Sequence, residues 1–174
     1  MGDFMDFFDL HCDTLTECMD DGDSLLKNER DIDFERGSIF GRWNQVFAVF
    51  VPDSMDDSLV EGYFDSACNF YFDELKKKGD VFPILSSEDV RGHSRGVMLA
   101  MESSRGVGSL ERLEKLYERG LRLITLTWNH KNRAAGGCDE GGGLTDWGRE
   151  LVSKMEKLGI VTDVSHLSDR SFYD

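Results

Sequence analysis

Short apolar runs that alternate with amphipathic stretches are the feature that most restricts how this chain can fold. Five runs rich in Val, Ile, Leu and Phe predict the main strands: "MDFFDLH" (5–11), "NQVFAVFV" (44–51), "GVMLAM" (96–101), "LRLITLT" (121–127) and "GIVTDVS" (159–165). A sixth run, "VFPIL" (81–85), is a candidate for a further short strand. Nearly continuous apolar character is typical of strands that are buried on both faces, as in a parallel sheet.

The segments between these strands have the residue spacing of amphipathic helices. Apolar residues recur at helical spacing over 56–78, and two further helices are predicted to start at the N-cap candidates Ser109 and Thr145. Gly120 and Gly159 are predicted to end them. The resulting β-α-β-α order predicts an α/β fold with a parallel sheet and right-handed crossovers, either open or closed into a barrel.

Composition and length exclude several classes of partner. The 174 residues include 34 acidic and 20 basic side chains, a net charge of −14, so we expect neither nucleic acid nor an anionic membrane surface as a partner. The sequence shows no apolar run long enough to span a membrane and no secretory signal. The four cysteines form no C-x-x-C pair, which predicts reduced thiols in a cytoplasmic protein. The length predicts a single domain over 1–174.

Four of the five main predicted strands are followed by side chains that can bind metal or transfer protons. In β/α folds, ligands gather at the carboxyl ends of the strands. The candidates are His11 and Asp13 after the first strand, Glu102 after the third, His130 after the fourth and His166 after the fifth. Residues two apart in a strand point to the same side, so His11 and Asp13 can reach one metal ion, and their ligand types suit zinc.

Each of these residues also has an ordinary structural interpretation when it is taken alone. Glu102 could be a loop carboxylate, His130 an ordinary loop residue and His166 a cap for a helix near Ser168. If they act together, Glu102 could complete the first site or bridge two ions, and His166 could bind a second ion. The glycine-rich run "GGCDEGGG" (136–143) lacks the G-K-[ST] of a phosphate-binding loop and is predicted to be a flexible loop near the site.

Several motifs, taken in their order along the chain, resemble the zinc-dependent membrane dipeptidase family, also called renal dipeptidases. They are "DLHCDTL" (9–15), "VMLAMES" (97–103), "TLTWNHKN" (125–132) and the long stretch over 142–174. The resemblance implies a TIM-like (β/α)8 barrel, two zinc ions and dipeptide substrates cleaved through a zinc-bridging hydroxide. It also implies residue roles: His11 and Asp13 bind the first zinc, Glu102 bridges both, His166 binds the second, and His130 contacts the substrate and stabilises the oxyanion.

The sequence departs from this family in two ways. Ser103 follows Glu102 where the family usually has Gly, which predicts a local shift of the loop. A TIM barrel typically needs about 250 residues, so the 174 residues predict a barrel truncated after about five β/α units. The family's second histidine for the second zinc, its substrate-binding arginine and an aspartate near the water would lie beyond Asp174.

These departures leave the activity of the 174-residue chain open. A five-strand piece is expected to expose the apolar edges of its first and fifth strands, and little or no activity is expected from it alone. One alternative is a non-catalytic fragment or a binding module that associates with a second copy of itself. Another is a related barrel metal hydrolase that acts on lactones or other amides, because one barrel fold supports many chemistries.

Overall fold

The computed structural model describes residues 5–174, and it contains the predicted alternation of strands and helices. The strands are β1 (Asp6–Asp9), β2 (Arg42–Phe50), β3 (Phe82–Pro83), β4 (Arg95–Glu102), β5 (Leu121–Thr125) and β6 (Val161–Asp163). The helices are α1 (Thr14–Asp21), α2 (Phe34–Gly37), α3 (Asp57–Lys76), α4 (Asp89–Gly92), α5 (Leu110–Glu118), α6 (Asp146–Leu158) and α7 (Asp169–Tyr173), with a 3₁₀ helix over Ser104–Val107. Each predicted strand and helix is present, with boundaries moved by a few residues. Within 5–174, no helix is both long and apolar enough to cross a membrane.

The chain divides into two compact units, and the first consists of residues up to 49 together with 65–99. Its strand order is β1-β2-β4, and β3 pairs with β4. The pairings of β1 with β2 and of β3 with β4 are parallel, as predicted. The core of this unit contains an aromatic cluster in which Trp43 and Phe47 of β2 meet Phe34 of α2 edge to face. Such edge-to-face pairs add to the stabilisation from area burial alone.

The second unit consists of residues 50–64 together with 100–174. Here the end of β4 is followed in the strand order by β5 and β6. β5 and β6 pair in parallel, with Thr125 opposite Asp163, and the Thr125 hydroxyl donates to the Asp163 carboxylate at 2.7 Å. Helices α5 and α6 pack on each other beside these strands. This register places the residues after β5 and after β6 at one end of the unit.

The predicted helix boundaries in the second unit are confirmed by their capping contacts. The Ser109 side chain accepts from the Arg112 N–H at the start of α5, and the Thr145 side chain accepts from the Gly148 N–H at the start of α6. Gly159 ends α6 with φ at +78°, a conformation that L side chains disfavour. Helix ends are therefore encoded locally in this chain.

The expectation that every main strand is buried on both faces is wrong for two strands. β2 and β4 are largely buried, whereas Phe7 and Phe8 of β1 are 38% and 40% exposed and Val161 of β6 is 52% exposed. Each of these two strands lies at one end of the strand order and has one neighbouring strand in it. The expected exposure of apolar side chains on the first and fifth predicted strands is thereby confirmed.

Candidate metal centre

His11 and Asp13 lie side by side directly after β1 in the first unit. His11 Nε2 is 3.3 Å from Asp13 Oδ1, and both side chains are partly exposed. The backbone here still follows β2, because the Cys12 N–H donates to the Val46 carbonyl and the Cys12 carbonyl accepts from the Ala48 N–H. The alternation of an extended chain accounts for His11 and Asp13 sharing one side while Cys12 is more buried. Burial raises the pKa of the Cys12 thiol to about 12.

Asp13 also occupies the N-cap position of α1, but within the described part of the chain its side chain makes no capping hydrogen bond. The first turn of α1 is held instead by the Asp13 backbone carbonyl, which accepts from the Thr16 and Glu17 N–H groups. The Asp13 carboxylate is therefore not used to start the helix. An imidazole next to a carboxylate is a donor set that zinc and similar divalent ions bind.

Glu102 and His166 form a second pair, in the second unit. Glu102 is the last residue of β4 and is 3% exposed. Its Oε1 is 3.3 Å from Nε2 of His166, which follows β6. His166 is also held on its other side, because its Nδ1 lies 3.0 Å from Oδ1 of Asn129. The Trp128 ring lies 6.4 Å from the His166 ring, centroid to centroid.

Ser103 does not need the conformational freedom of glycine. Its φ is −100°, within the extended region that any residue adopts. Its hydroxyl accepts a hydrogen bond of 3.0 Å from the Asn132 side chain. The backbone conformation therefore accommodates serine, and the local shift of the loop relative to the family stays a prediction.

His130 is placed differently from His166. It follows β5, its side chain is half exposed, and its Nδ1 lies 3.7 Å from Oε1 of Glu140. It lines a cavity of about 580 Å³ in the second unit, together with charged residues that include Arg105 and Asp53. Arg105 forms an ion pair there with Asp57 at 2.7 Å, whereas the buried Oδ2 of Asp53 has no hydrogen-bond partner among residues 5–174. His130 therefore belongs to a polar cavity wall.

Asn129 and Trp128, which follow the predicted fourth strand, are contacts of His166 to which the sequence pattern assigns no role. The sequence pattern predicts a role for His130 of "TWNH", but β5 ends at Thr125 and the chain bends over 128–130, so strand alternation does not extend to Asn129. Thr127 also contacts the segment after β6, because its hydroxyl donates to the His166 carbonyl at 3.2 Å. The contact of Asn129 with His166 joins residues 37 positions apart, so it has no local sequence signal.

Comparison with known proteins agrees with this arrangement of the fold. A family model described as membrane dipeptidase (peptidase family M19) matches residues 3–174. Because the match covers nearly the whole chain, the chain belongs to this family of metallopeptidases. The α/β fold with parallel strands, predicted from the alternation of apolar runs, is accordingly part of the TIM-like barrel of the M19 dipeptidases.

Two solved structures are similar over 98% of this chain. One, a dipeptidase AC of family M19, has a TM-score of 0.85 at 20% identity, and 59% of its chain is covered. The other is a metallopeptidase from Rhodobacter sphaeroides liganded with a phosphinate mimic of the dipeptide L-Ala-D-Ala; its TM-score is 0.83 at 18% identity, with 61% covered. At these identities the likeness establishes the fold.

The curated relatives match over shorter stretches. An uncharacterized protein of Acinetobacter calcoaceticus is 30% identical over 97 residues, which is 50% of this chain and 31% of the relative. An uncharacterized dipeptidase of Schizosaccharomyces pombe is 39% identical over 72 residues, covering 38% of this chain and 17% of the relative. The chain thus spans about a third or less of these curated relatives and about three fifths of the solved structures.

Proposed function

We propose that this chain binds divalent metal ions and takes part in the hydrolysis of dipeptides. The observation that carries the proposal is the delivery of two His–carboxylate pairs by strand ends, His11 with Asp13 and His166 with Glu102, in a chain that belongs to a metallopeptidase family. When bound, such ions activate water and polarise a peptide carbonyl.

The proposed ligand roles follow the chemistry of each side chain. As the family resemblance implies, His11 and Asp13 are proposed to bind one ion, and Glu102 is proposed to bridge to a second ion at His166. Zinc is the proposed metal, because imidazole nitrogen and carboxylate oxygen are its usual non-sulfur ligands. Burial of Glu102 supports the bridging role, since a buried carboxylate needs a cation or donors to offset the loss of hydration.

His130 is proposed to bind the substrate and to stabilise the developing oxyanion. Glu140 lies on its Nδ1 side, so Nε2 is the atom left to donate a hydrogen bond to the substrate. A donor aimed at developing negative charge lowers the barrier of acyl transfer. The polar cavity that His130 lines offers room for a small charged molecule.

The proposed substrate class is dipeptides. The similar metallopeptidase from Rhodobacter sphaeroides was solved with a mimic of a dipeptide, and this chain is in the same family as other dipeptidases. Cytoplasmic location, absence of a membrane partner and association with a second copy stay predictions from the sequence.

The test combines metal binding with hydrolysis. Zinc content and affinity should be measured for the wild-type chain, for H11A and H166A, and for H93A as a matched control, because His93 stacks on Phe82 and belongs to neither His–carboxylate pair. We expect H11A and H166A to lose zinc affinity and H93A to keep it. Unchanged zinc affinity in both site variants would refute the ligand roles. A zinc-loaded chain that cleaves lactones and leaves dipeptides intact would refute the substrate class.

A further inference from the structure

The two nitrogen atoms of the His166 ring face different partners within the second unit. Nε2 lies 3.3 Å from Glu102 Oε1, and Nδ1 lies 3.0 Å from the side-chain oxygen of Asn129. An amide oxygen is an acceptor only, so this contact requires a hydrogen on Nδ1. The proton on Nδ1 leaves Nε2 as the nitrogen whose lone pair can bind a cation on the Glu102 side.

The glycine-rich loop over 136–143 holds the backbones of both partners. The Cys138 N–H donates to the His166 carbonyl at 2.9 Å, and the adjacent Asp139 N–H donates to the Asn129 carbonyl at 3.0 Å. Two successive N–H groups of one loop therefore fasten two residues that are 37 positions apart in the chain. Because His166 has a φ of +64°, a conformation that costs a non-glycine residue energy, these bonds also help to hold its backbone in place.

The close approach of this loop to Asn129 explains the glycine at position 137. A Cβ atom on Gly137 would lie 2.3 Å from the Asn129 carbonyl oxygen and 2.7 Å from the His130 carbonyl carbon. Gly137 also bridges to Leu167, the residue after His166. The loop thus lies directly against both segments, which is a more specific role than the flexible loop predicted from its composition.

We infer that Asn129, held by the loop over 136–143, is a positioning residue that fixes the ring orientation and the protonated nitrogen of His166. The consequence of this positioning for metal binding by His166 rests on the proposed function. A hydrogen bond from the ring nitrogen that does not bind the metal typically sets the tautomer of a histidine and orients its ring for metal binding. An amide does so without adding a second negative charge beside the buried Glu102 carboxylate.

The first test requires no metal and uses the whole 174-residue chain. With ¹⁵N-labelled histidine, NMR detects the Nδ1–H proton of His166, which H166A assigns by its loss. We expect this proton to be protected from exchange in wild type, unprotected in N129A and protected again in N129D, whose carboxylate also accepts. Protection that persists in N129A would overturn the inference, and so would loss of protection in a folded N129D chain.

The second test measures zinc affinity on the same variants. Removing a partner of a metal-binding histidine typically costs about 10- to 100-fold in affinity, so we expect a loss of that size in N129A and substantial recovery in N129D. Wild-type affinity in a folded N129A chain would overturn the positioning role. If the wild-type chain binds no zinc while the Nδ1–H results hold, the proposed metal function fails and the positioning of His166 by Asn129 stands.

Discussion

Substitution of Gly137 by alanine offers a direct probe of how tightly the glycine-rich loop packs. The added Cβ would lie 2.3 Å from the Asn129 carbonyl oxygen, about 1 Å short of ordinary van der Waals contact. Gly137 is buried, and the atoms it would meet belong to backbone that is itself hydrogen-bonded to the loop through the Asp139 N–H. Neither side can therefore move away without weakening a bond.

The expected magnitude follows from the cost of overpacking. An added carbon in a well-packed site costs about 1–3 kcal/mol, and we expect G137A to fall in this range because the contact is with backbone. Any gain from reduced freedom of the unfolded chain, about 0.4–1 kcal/mol where alanine fits without strain, is too small to offset it. The unfolding free energy should fall, and the Asn129–His166 contact should weaken with it.

Urea unfolding followed by tryptophan fluorescence measures this change, with G62A as the matched control. Gly62 is exposed inside α3 and a Cβ there would meet nothing within 4 Å. Alanine is favoured over glycine inside a helix by about 0.8–1 kcal/mol, so the urea midpoint of G62A should rise while that of G137A falls. A G137A chain that is as stable as wild type, at an unchanged slope, would refute the close approach of the loop to Asn129.

Three further predictions concern capping, acid stability and thiol reactivity. T145A removes the acceptor for the Gly148 N–H, so urea unfolding should show a loss of about 1 kcal/mol, and T145S should recover most of it. Hydrogen bonds from the Leu85 N–H and the Ser86 hydroxyl lower the pKa of Asp89. The Asp89 carboxylate therefore stabilises the folded chain at pH values above its pKa in the unfolded chain, and this stabilisation is lost as the pH falls through its pKa in the folded chain. The stability difference between wild type and D89N should shrink on acidification, and a difference independent of pH would contradict this. Alkylation followed by peptide mass spectrometry should label exposed Cys138 well before Cys12, whose pKa is raised by burial; equal rates would contradict it.

Part of the site was predictable because it depends on local rules. Residues two apart at a strand end face the same way, and this rule alone paired His11 with Asp13, which the 3.3 Å contact confirms. The likeness to a family of dipeptidases added the expectation that Glu102 and His166 act together, and their side chains are in contact. The metal-binding and catalytic roles of these residues stay predictions.

Other features depended on contacts between distant segments. The sequence "TWNH" does not show that the neighbouring side chains of Asn129 and His130 have different partners. In the structure His130 faces Glu140, whereas Asn129 faces His166. The exposure of Phe7 and Phe8 likewise follows from the position of β1 at the end of the strand order. An apolar run of this kind looks the same in sequence whether one or two strands lie beside it.

The sequence by itself determined the alternation of strands and helices and the helix ends at Ser109, Thr145 and Gly159. It also determined that imidazoles and carboxylates follow strands. Both depend on backbone periodicity and helix capping, which act over a few residues. Only the tertiary structure decided which partner each of these side chains has. The hydrogen bonds that join Asn129, the loop over 136–143 and His166 connect segments brought together by the pairing of β5 with β6. Their energy depends on distances in space, which a local pattern of residues does not specify.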